Sequence, residues 1–481
     1  MKPRSPIVCI LGHVDHGKTT LLDKIRKSDV TSIEQGGITQ SIGAYEIKTG
    51  IKDYPTDKIT FIDTPGHEAF SKLRSRGANI ADIAILIIDA KDSVMPQTQE
   101  SIAHIKNAKI PFIVVINKVD LPDAKPDKVK LDLLKCDVAV EEKGGKIPCV
   151  SVSTKTGKGI KELLETILLL SSDMNLITNE KNKAISYIIE TKKDKRGIVL
   201  SCIIKDGVLQ NKDVVFAGNI KAKIRSMFND KGENICRVIP SSPFELLGFS
   251  EIPSIGTELT TFEIKPTQLN EAKKINKTFN LESILKTEKA KKINIILKAN
   301  SRGSIEAIQD SLSKTESVDI VMSGIGDIHK SDIFLAVSSK SIIIGFGVKI
   351  ESDAIELAKN EKVIIKTFNI IYELLEELEE VTNLIKKQGS EAKKVKGEAN
   401  VLARFVIHEN TVYGIKIIQG KANINDNIEI YRNNSLIGKS KISSLQIKSS
   451  PEKEVKKGQE AGILIIPNLD IKIGDMIKFI L

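Results

Sequence analysis

Short, almost wholly apolar runs recur along the first third of the chain, at residues 7–11 (I-V-C-I-L), 58–62, 83–89 (I-A-I-L-I-I-D), 112–116 (F-I-V-V-I) and 147–152. Runs of this length with no polar alternation are the pattern of strands buried on both faces. Helical spacing follows the first run at 18–25 (K-T-T-L-L-D-K-I) and the last at 159–170. Strands alternating with helices predict an α/β domain, a parallel sheet with helices on both faces, over residues 1–173.

Beyond Asp173 the pattern changes. Residues 184–259 hold short β-branched runs broken by Gly and Asn, the spacing of a small antiparallel barrel in a domain spanning 174–262. A related pattern returns near the end, where Gly420 precedes Asp426 as Gly207 precedes Asp213, and Ile473-Gly474 matches Ile255-Gly256 before a last strand. This predicts a second barrel at 390–481. Between the two lie a lysine-rich linker at 263–292 and a strand–helix alternation at 293–367 that predicts a small α/β/α layer domain. Next comes a helix at 368–389, whose apolar positions Ile370, Ile371, Leu374, Leu375, Leu378, Val381, Leu384 and Ile385 recur at helical spacing. The stretch A-N-S-R-G at 299–303 has the look of an anion loop but lacks a lysine.

A chain of 481 residues exceeds one hydrophobic core and implies about three or four domains. No apolar run reaches the length of a membrane span, and the N-terminus enters a core strand at once, which points to a cytoplasmic protein. The five cysteines are scattered without a C-x-x-C pair, which argues against a zinc site or a disulfide frame. A net charge of +10 favours a polyanionic partner.

The chemistry is concentrated in the first domain. Gly12, His13, Val14, Asp15, His16, Gly17, Lys18 and Thr19 fit G-x-x-x-x-G-K-[ST], with Thr20 following, between a buried strand and a helix N-terminus. There backbone amides and the helix dipole wrap phosphates, Lys18 reaches the β and γ phosphates, and the Thr19 hydroxyl is offered to Mg²⁺. A glycine-rich loop from Ser32 to Gly43 carries Gly37, Ile38 and Thr39, the last placed to give a second hydroxyl to Mg²⁺ and the γ-phosphate. The next strand ends in Asp63, Thr64, Pro65, Gly66 and His67. Asp63 is placed to hold the hydration shell of Mg²⁺, Gly66 to offer its amide, and His67 to face the attacking water. N-K-V-D at 117–120 sets Asp120 to accept from guanine N1–H and its exocyclic amine, with the Lys118 stem over the base and Asn117 beside it. Ser153, Thr154 and Lys155 form a turn that presents an amide to guanine O6. These elements in this order predict a guanine-nucleotide switch.

G-H-V-D-H-G-K-T with D-T-P-G-H resembles the GTPases of translation. The fuller runs R-S-P-I-V-C-I-L-G-H-V-D-H-G-K-T-T-L-L-D-K-I-R and E-Q-G-G-I-T-Q-S-I-G-A resemble the translation initiation factor two family, whose archaeal and eukaryotic counterpart is initiation factor five B. The resemblance implies GTP and Mg²⁺ as cofactors, a monovalent cation (K⁺ or Na⁺) near Asp15, and hydrolysis stimulated by the ribosome. It also implies that the factor places initiator (formylmethionyl) tRNA on the small ribosomal subunit, promotes joining of the large one, and works as a monomer beside other initiation factors. Thr154 stands where the family usually has alanine. In the last barrel Gly414, Lys448, Glu460 and Gly462 carry over as tRNA-binding positions, while Ile415 stands where bacterial relatives usually have cysteine, Gln446, Ile447 and Lys448 where they have basic and aromatic residues, and E-A-G at 460–462 where they have E-C-G. The long N-terminal region that many bacterial members carry is not seen here, and without the terminal helices expected of the archaeal and eukaryotic type the bacterial form is favoured. The rivals are an elongation-type aminoacyl-tRNA carrier, a GTPase subunit driving nucleotidyl transfer, and a ribosome-assembly GTPase without a tRNA ligand. A domain and a helix intervening between the two barrels weigh against the carrier.

Overall fold

The computed structural model describes residues 1–26, 39–40, 42–263, 293–313, 317–407, 410–432, 435–447, 450–467, 469 and 471–480. Gly37, Ile38, Lys448 and nearly all of the expected linker lie outside them. The chain falls into two compact units, one reaching Glu377 and the other beginning at Leu378.

In the first domain a six-stranded sheet has the order β3 (Gly43–Lys48), β4 (Lys58–Asp63), β2 (Ile7–Gly12), β5 (Ile83–Asp89), β6 (Phe112–Asn117), β7 (Cys149–Ser151). All pairings are parallel except β3 with β4, so the expected all-parallel sheet has one antiparallel edge. The apolar runs sort by parity. Ile7, Cys9 and Leu11 enter one core cluster, while Val8 and Ile10 enter the cluster on the opposite face. Burial on both faces is why β2 and β5 are apolar at nearly every position, up to Gly12 and Asp89 at their ends. Helices α1 (Lys18–Arg26), α2 (Ser71–Ile80), α3 (Pro96–Ala108), α4 (Pro126–Leu134) and α5 (Ile160–Asp173) complete the layers. Because β2, β4, β5, β6 and β7 run the same way, their C-terminal loops gather at one end, where α/β sheets bind ligands. The lead-in strand β1 (Lys2–Pro3) pairs with β8 (Ile177–Thr178) beyond α5.

The second domain is an antiparallel sheet built on the long pair Ile185–Asp194 and Gly197–Asp206, curled around Leu200, Cys202, Met227 and Leu246. Among the described residues its ladder is not closed. Instead the chain itself joins Ile220–Lys223 at one end of the sheet to Ser226–Phe228 near the other. In the second unit six strands do close. Val395–Ile407, Met476–Ile480, Asn427–Arg432, Ser435–Ile447, Glu460–Ile466 and Asn410–Asn423 pair in a ring, the last returning to the first.

The repeat noticed between these sheets is a repeated turn. Asp213 Oδ2 accepts from the Gln210 amide at 2.8 Å, and Asp426 Oδ2 from the Asn423 amide at 2.7 Å. Lys212 (φ 76°) and Asn425 (φ 71°) both sit in the left-handed region just before the aspartate. Gly256 and Gly474 likewise donate their amides to Ile188 and Val401 of the first long strand in each domain.

The layer domain has four parallel strands in the order Val318–Ile325, Ile293–Ala299, Ile342–Phe346, Ile365–Phe368, with α6 (Arg302–Ser313), α7 (Lys330–Ser339) and α8 (Ser352–Asn360). At 299–303 the chain holds a carboxyl group of its own. The buried Glu190 accepts from Gly303 N (3.2 Å) and the Ser301 hydroxyl (3.0 Å) at the N-terminus of α6. That contact fastens this domain to the second. The long helix α9 spans Ile371–Lys394, starting three residues after the expected 368 because 365–368 is spent on the edge strand, and ending five residues beyond the expected 389.

Candidate functional site

Between β2 and α1 the backbone takes positive φ at Gly12 (156°), Asp15 (63°) and Gly17 (91°). A Cβ on Gly12 would collide with the Ile87 carbonyl, and one on Gly17 with the Asn117 amide nitrogen, so both positions require glycine. Asn117 is fully buried behind the loop, donating to His16 O (3.0 Å) and accepting from Thr154 N (3.3 Å). It thereby braces the phosphate loop against the 153–155 turn and does not line the cavity. Lys18 Nζ donates to the carbonyls of Gly12 (3.1 Å) and His13 (2.5 Å). Burial pulls this ammonium down to about 8, with the Asp63 carboxylate opposing the drop.

Thr19 Oγ1 and Thr39 Oγ1 lie 2.6 Å apart. With the buried Asp63 at the end of β4 they offer hydroxyl and carboxylate oxygens, the donor chemistry that suits Mg²⁺. Thr64 Oγ1 donates to Ile10 O (2.7 Å), tying the strand end to β2. Gly66 abuts the phosphate loop so closely that an added Cβ would meet the Val14 backbone at 3.1 Å and Lys18 Nζ at 2.5 Å. His67 accepts through Nδ1 from Ala69 N (2.9 Å), capping a single helical turn. Burial, reinforced by the nearby Arg74 charge, lowers His67 to about 4, so the ring is neutral at pH 7.

At the other end of the cavity Lys118 (φ 60°) forms an ion pair with Asp89 Oδ2 at 2.7 Å, which orients its stem. Asp120 is exposed, and a hydrogen bond with Ser153 holds its carboxyl below the usual range. The cavity, about 330 Å³, is lined by Val14, Asp15, Gly17, Lys18, Thr19, Thr20, Thr39, Gly66, His67, Lys118, Asp120, Thr154 and Lys155, joined by Phe70, Leu121 and Tyr372. Gly12, His13, His16, Asp63, Thr64, Pro65 and Ser153 stand behind this lining.

Three family descriptions match successive parts of the chain. They are the elongation factor Tu GTP binding domain (residues 3–172), elongation factor G domain 2 (183–262) and translation-initiation factor 2 (267–379). Translation initiation factor IF-2 of Thermoanaerobacter sp. (strain X514) is 41% identical over 99% of this chain and 71% of its own length. The chain belongs to the translation initiation factor IF-2 family. That of Clostridium tetani (strain Massachusetts / E88) is also 41% identical, over 99% of this chain and 71% of its own, and that of Thermotoga sp. (strain RQ2) 40% over the same shares. The solved structure of GDP-bound aIF5B from Aeropyrum pernix is 25% identical over 99% of this chain and 92% of that one, at a TM-score of 0.46. This IF-2 family member is thus a GTP-binding protein of the GTPase class, and no described helix is long and apolar enough to cross a membrane.

Several residues of this IF-2 site carry no motif of their own. Gln97 on α3 accepts from Val14 N at 3.0 Å. Gln40, next to Thr39, donates to Asn369 O (2.8 Å) and accepts from Ile371 N (3.0 Å) at the start of α9. From that same turn Tyr372 packs its ring on His67, centroids 4.0 Å apart. Only the closing of the fold brings these together, since more than 300 positions separate Gln40 from Ile371.

In the C-terminal barrel Gly414 pairs directly with Gly462, and Lys416 with Glu460, the latter also an ion pair at 3.3 Å. Strand alternation puts these four on the outer face. Ile415 and Ala461, the departures from the family pattern, point into the core and serve as fillers.

Burial lowers His16 to about 4, as it does His67. A folded-state value below the unfolded one means the stability is fully present above about pH 6.5 and is lost as pH falls towards 4, because the unfolded chain binds the protons. For the buried His16 the loss reaches on the order of 3 kcal/mol. Thermal melts between pH 7.5 and 4.5 should therefore show a falling midpoint, and His16→Asn should flatten the fall. A midpoint that stays level over this range would contradict neutral burial of these rings.

Proposed function

We propose that this chain is a ribosome-stimulated GTPase that binds initiator tRNA, helps place it on the small subunit and promotes joining of the large subunit. The observation that carries the nucleotide half is the convergence of Thr19 and Thr39 hydroxyls, 2.6 Å apart, at the mouth of the phosphate loop. Membership of the IF-2 family supports the rest. In this proposal the amides of 13–18 and Lys18 hold the phosphates, Thr19, Thr39 and Asp63 hold Mg²⁺, and Asp120, Lys118 and the 153–155 turn select guanine. The metal, when bound, neutralises charge on the β and γ phosphoryl oxygens. Gly66 donates its amide to the γ-phosphate. His67, neutral and capped through Nδ1, keeps Nε2 for the attacking water once the ribosome seats it.

The outer-face cluster Gly414, Glu460 and Gly462 is the surface proposed for the acylated tRNA end, with Lys448, outside the described residues, as the fourth position the family resemblance names. The last barrel carries fifteen Lys and Arg against ten Asp and Glu over 390–481, a modest basic excess suited to a phosphate-bearing ligand. Such work belongs in the cytoplasm.

Filter binding of the full chain to formylated, unformylated and uncharged initiator tRNA, with small subunits and a non-hydrolysable GTP analogue, tests the proposal. Preferential retention of the formylated species, falling with salt, is expected. Equal retention of all three would remove the tRNA assignment and leave a ribosome-associated GTPase.

A further inference from the structure

The side chain most deeply committed to the His67 loop is one that no motif marks. Arg74, on α2, is fully buried. Its Nη1 donates to the carbonyls of Pro65 (3.0 Å) and His67 (2.5 Å), the two residues that flank Gly66. Its Nη2 reaches Glu100 Oε2 on α3 at 2.7 Å. A planar guanidinium is the one side chain that can serve three acceptors from a fixed fork, and burying it is costly unless those bonds are made.

One helix turn before Glu100, Gln97 holds Val14 N of the phosphate loop. The same helix α3 therefore references two segments. It grips the phosphate loop directly through Gln97, and it grips the 65–67 segment at one remove through Glu100 and Arg74. Those segments must face each other across the reacting phosphoryl group, and the tight fit of Gly66 against Val14 leaves little slack for error. Glu100 is itself steadied. Burial opposes its ionisation, yet hydrogen bonds from His104 and Ser71, with the Arg74 charge, bring its carboxyl down to about 2.

We propose that Arg74 is a positioning residue for hydrolysis. By clamping the carbonyls on either side of Gly66 and anchoring them to Glu100, it fixes where the Gly66 amide and the His67 ring stand relative to the phosphate loop. It does not line the nucleotide cavity. The proposal rests on the GTPase assignment above and adds to it a residue outside the nucleotide cavity.

A residue that positions should move kcat and spare ground-state affinity. The test compares wild type, Arg74→Ala, Arg74→Lys and Glu100→Gln as full-length chains. Each is measured for fluorescent GDP affinity and for single-turnover GTP hydrolysis with and without ribosomes. Expected are GDP affinities within about twofold of wild type and a stimulated rate lowered on the order of 100-fold in R74A, the scale of a misplaced catalytic group. R74K should recover part of the loss, because an ammonium restores the charge and one carbonyl contact but not the fork. E100Q, which frees the far end of the clamp, should fall between R74A and wild type.

Wild-type hydrolysis by R74A, or a loss confined to GDP affinity, overturns the proposal. Should R74A fail to fold, R74K decides, since a wild-type rate in a nucleotide-binding R74K has the same force. If wild type itself is not stimulated by ribosomes, the functional assignment fails on its own, and the Arg74 comparison is made on the slow unassisted reaction.

Discussion

His67→Ala is expected to bind GTP and GDP as the parent does while losing ribosome-stimulated hydrolysis by about 10²–10⁴-fold, the range for removing a group that positions or polarises an attacking water. The expectation follows from placement. His67 lines the cavity beside Gly66, its Nδ1 is spent on the Ala69 amide, and the ring is held neutral by burial and the Arg74 charge. A ring fixed in this way keeps one nitrogen for the reaction, and alanine supplies none. Because nothing in the binding of the β-phosphate or the base depends on the imidazole, affinity should hold. Stopped-flow nucleotide binding and single-turnover hydrolysis on the same preparation separate the two quantities. An unchanged stimulated rate would remove His67 from the reaction.

The second large effect is expected at the opposite end of the cavity. Asp120→Asn should weaken GTP binding by roughly 10²–10⁴-fold and give xanthosine triphosphate the advantage, since a site built to pair a polar edge rejects the partner that cannot complete it. In the proposed role the carboxylate would accept from N1–H and the exocyclic amine of guanine, and xanthine carries an oxygen where that amine stood. The substituted side-chain amide would offer a donor to that oxygen. Ser153, which hydrogen-bonds Asp120, and the Lys118–Asp89 pair keep this end of the cavity in shape, so the exchange should not disturb the fold. Competition between the two triphosphates for the variant decides the matter, and retained guanine preference would refute the assignment.

Much of this was legible in the chain because the motifs are local. The phosphate loop, D-T-P-G-H and N-K-V-D each sit at the end of a strand whose residues are apolar at nearly every position, so both the strand and its loop announce themselves. The edge strands did not. Gly43–Lys48 is half-buried along most of its length and Ile365–Phe368 is only four residues, so neither has the solid apolar run or clean alternation that makes a strand readable. The second domain read as a barrel, yet its described ladder is open, since strand spacing says nothing of whether the first and last strands meet. Arg74, Gln97, Gln40 and Tyr372 were illegible for a related reason. Each resembles an ordinary helix or loop residue, and its partner is known only when distant segments touch. In the last barrel, strand parity sends Ile415 and Ala461 inward and Gly414 and Gly462 outward.

Gln40 fastens its amide to two backbone groups at the head of α9 while its neighbour Thr39 meets Thr19 in the cavity. Exchanging Gln40 for alanine would leave the Asn369 carbonyl and the Ile371 amide at the head of α9 without this side chain, and would free the segment that carries Thr39 from its anchor there.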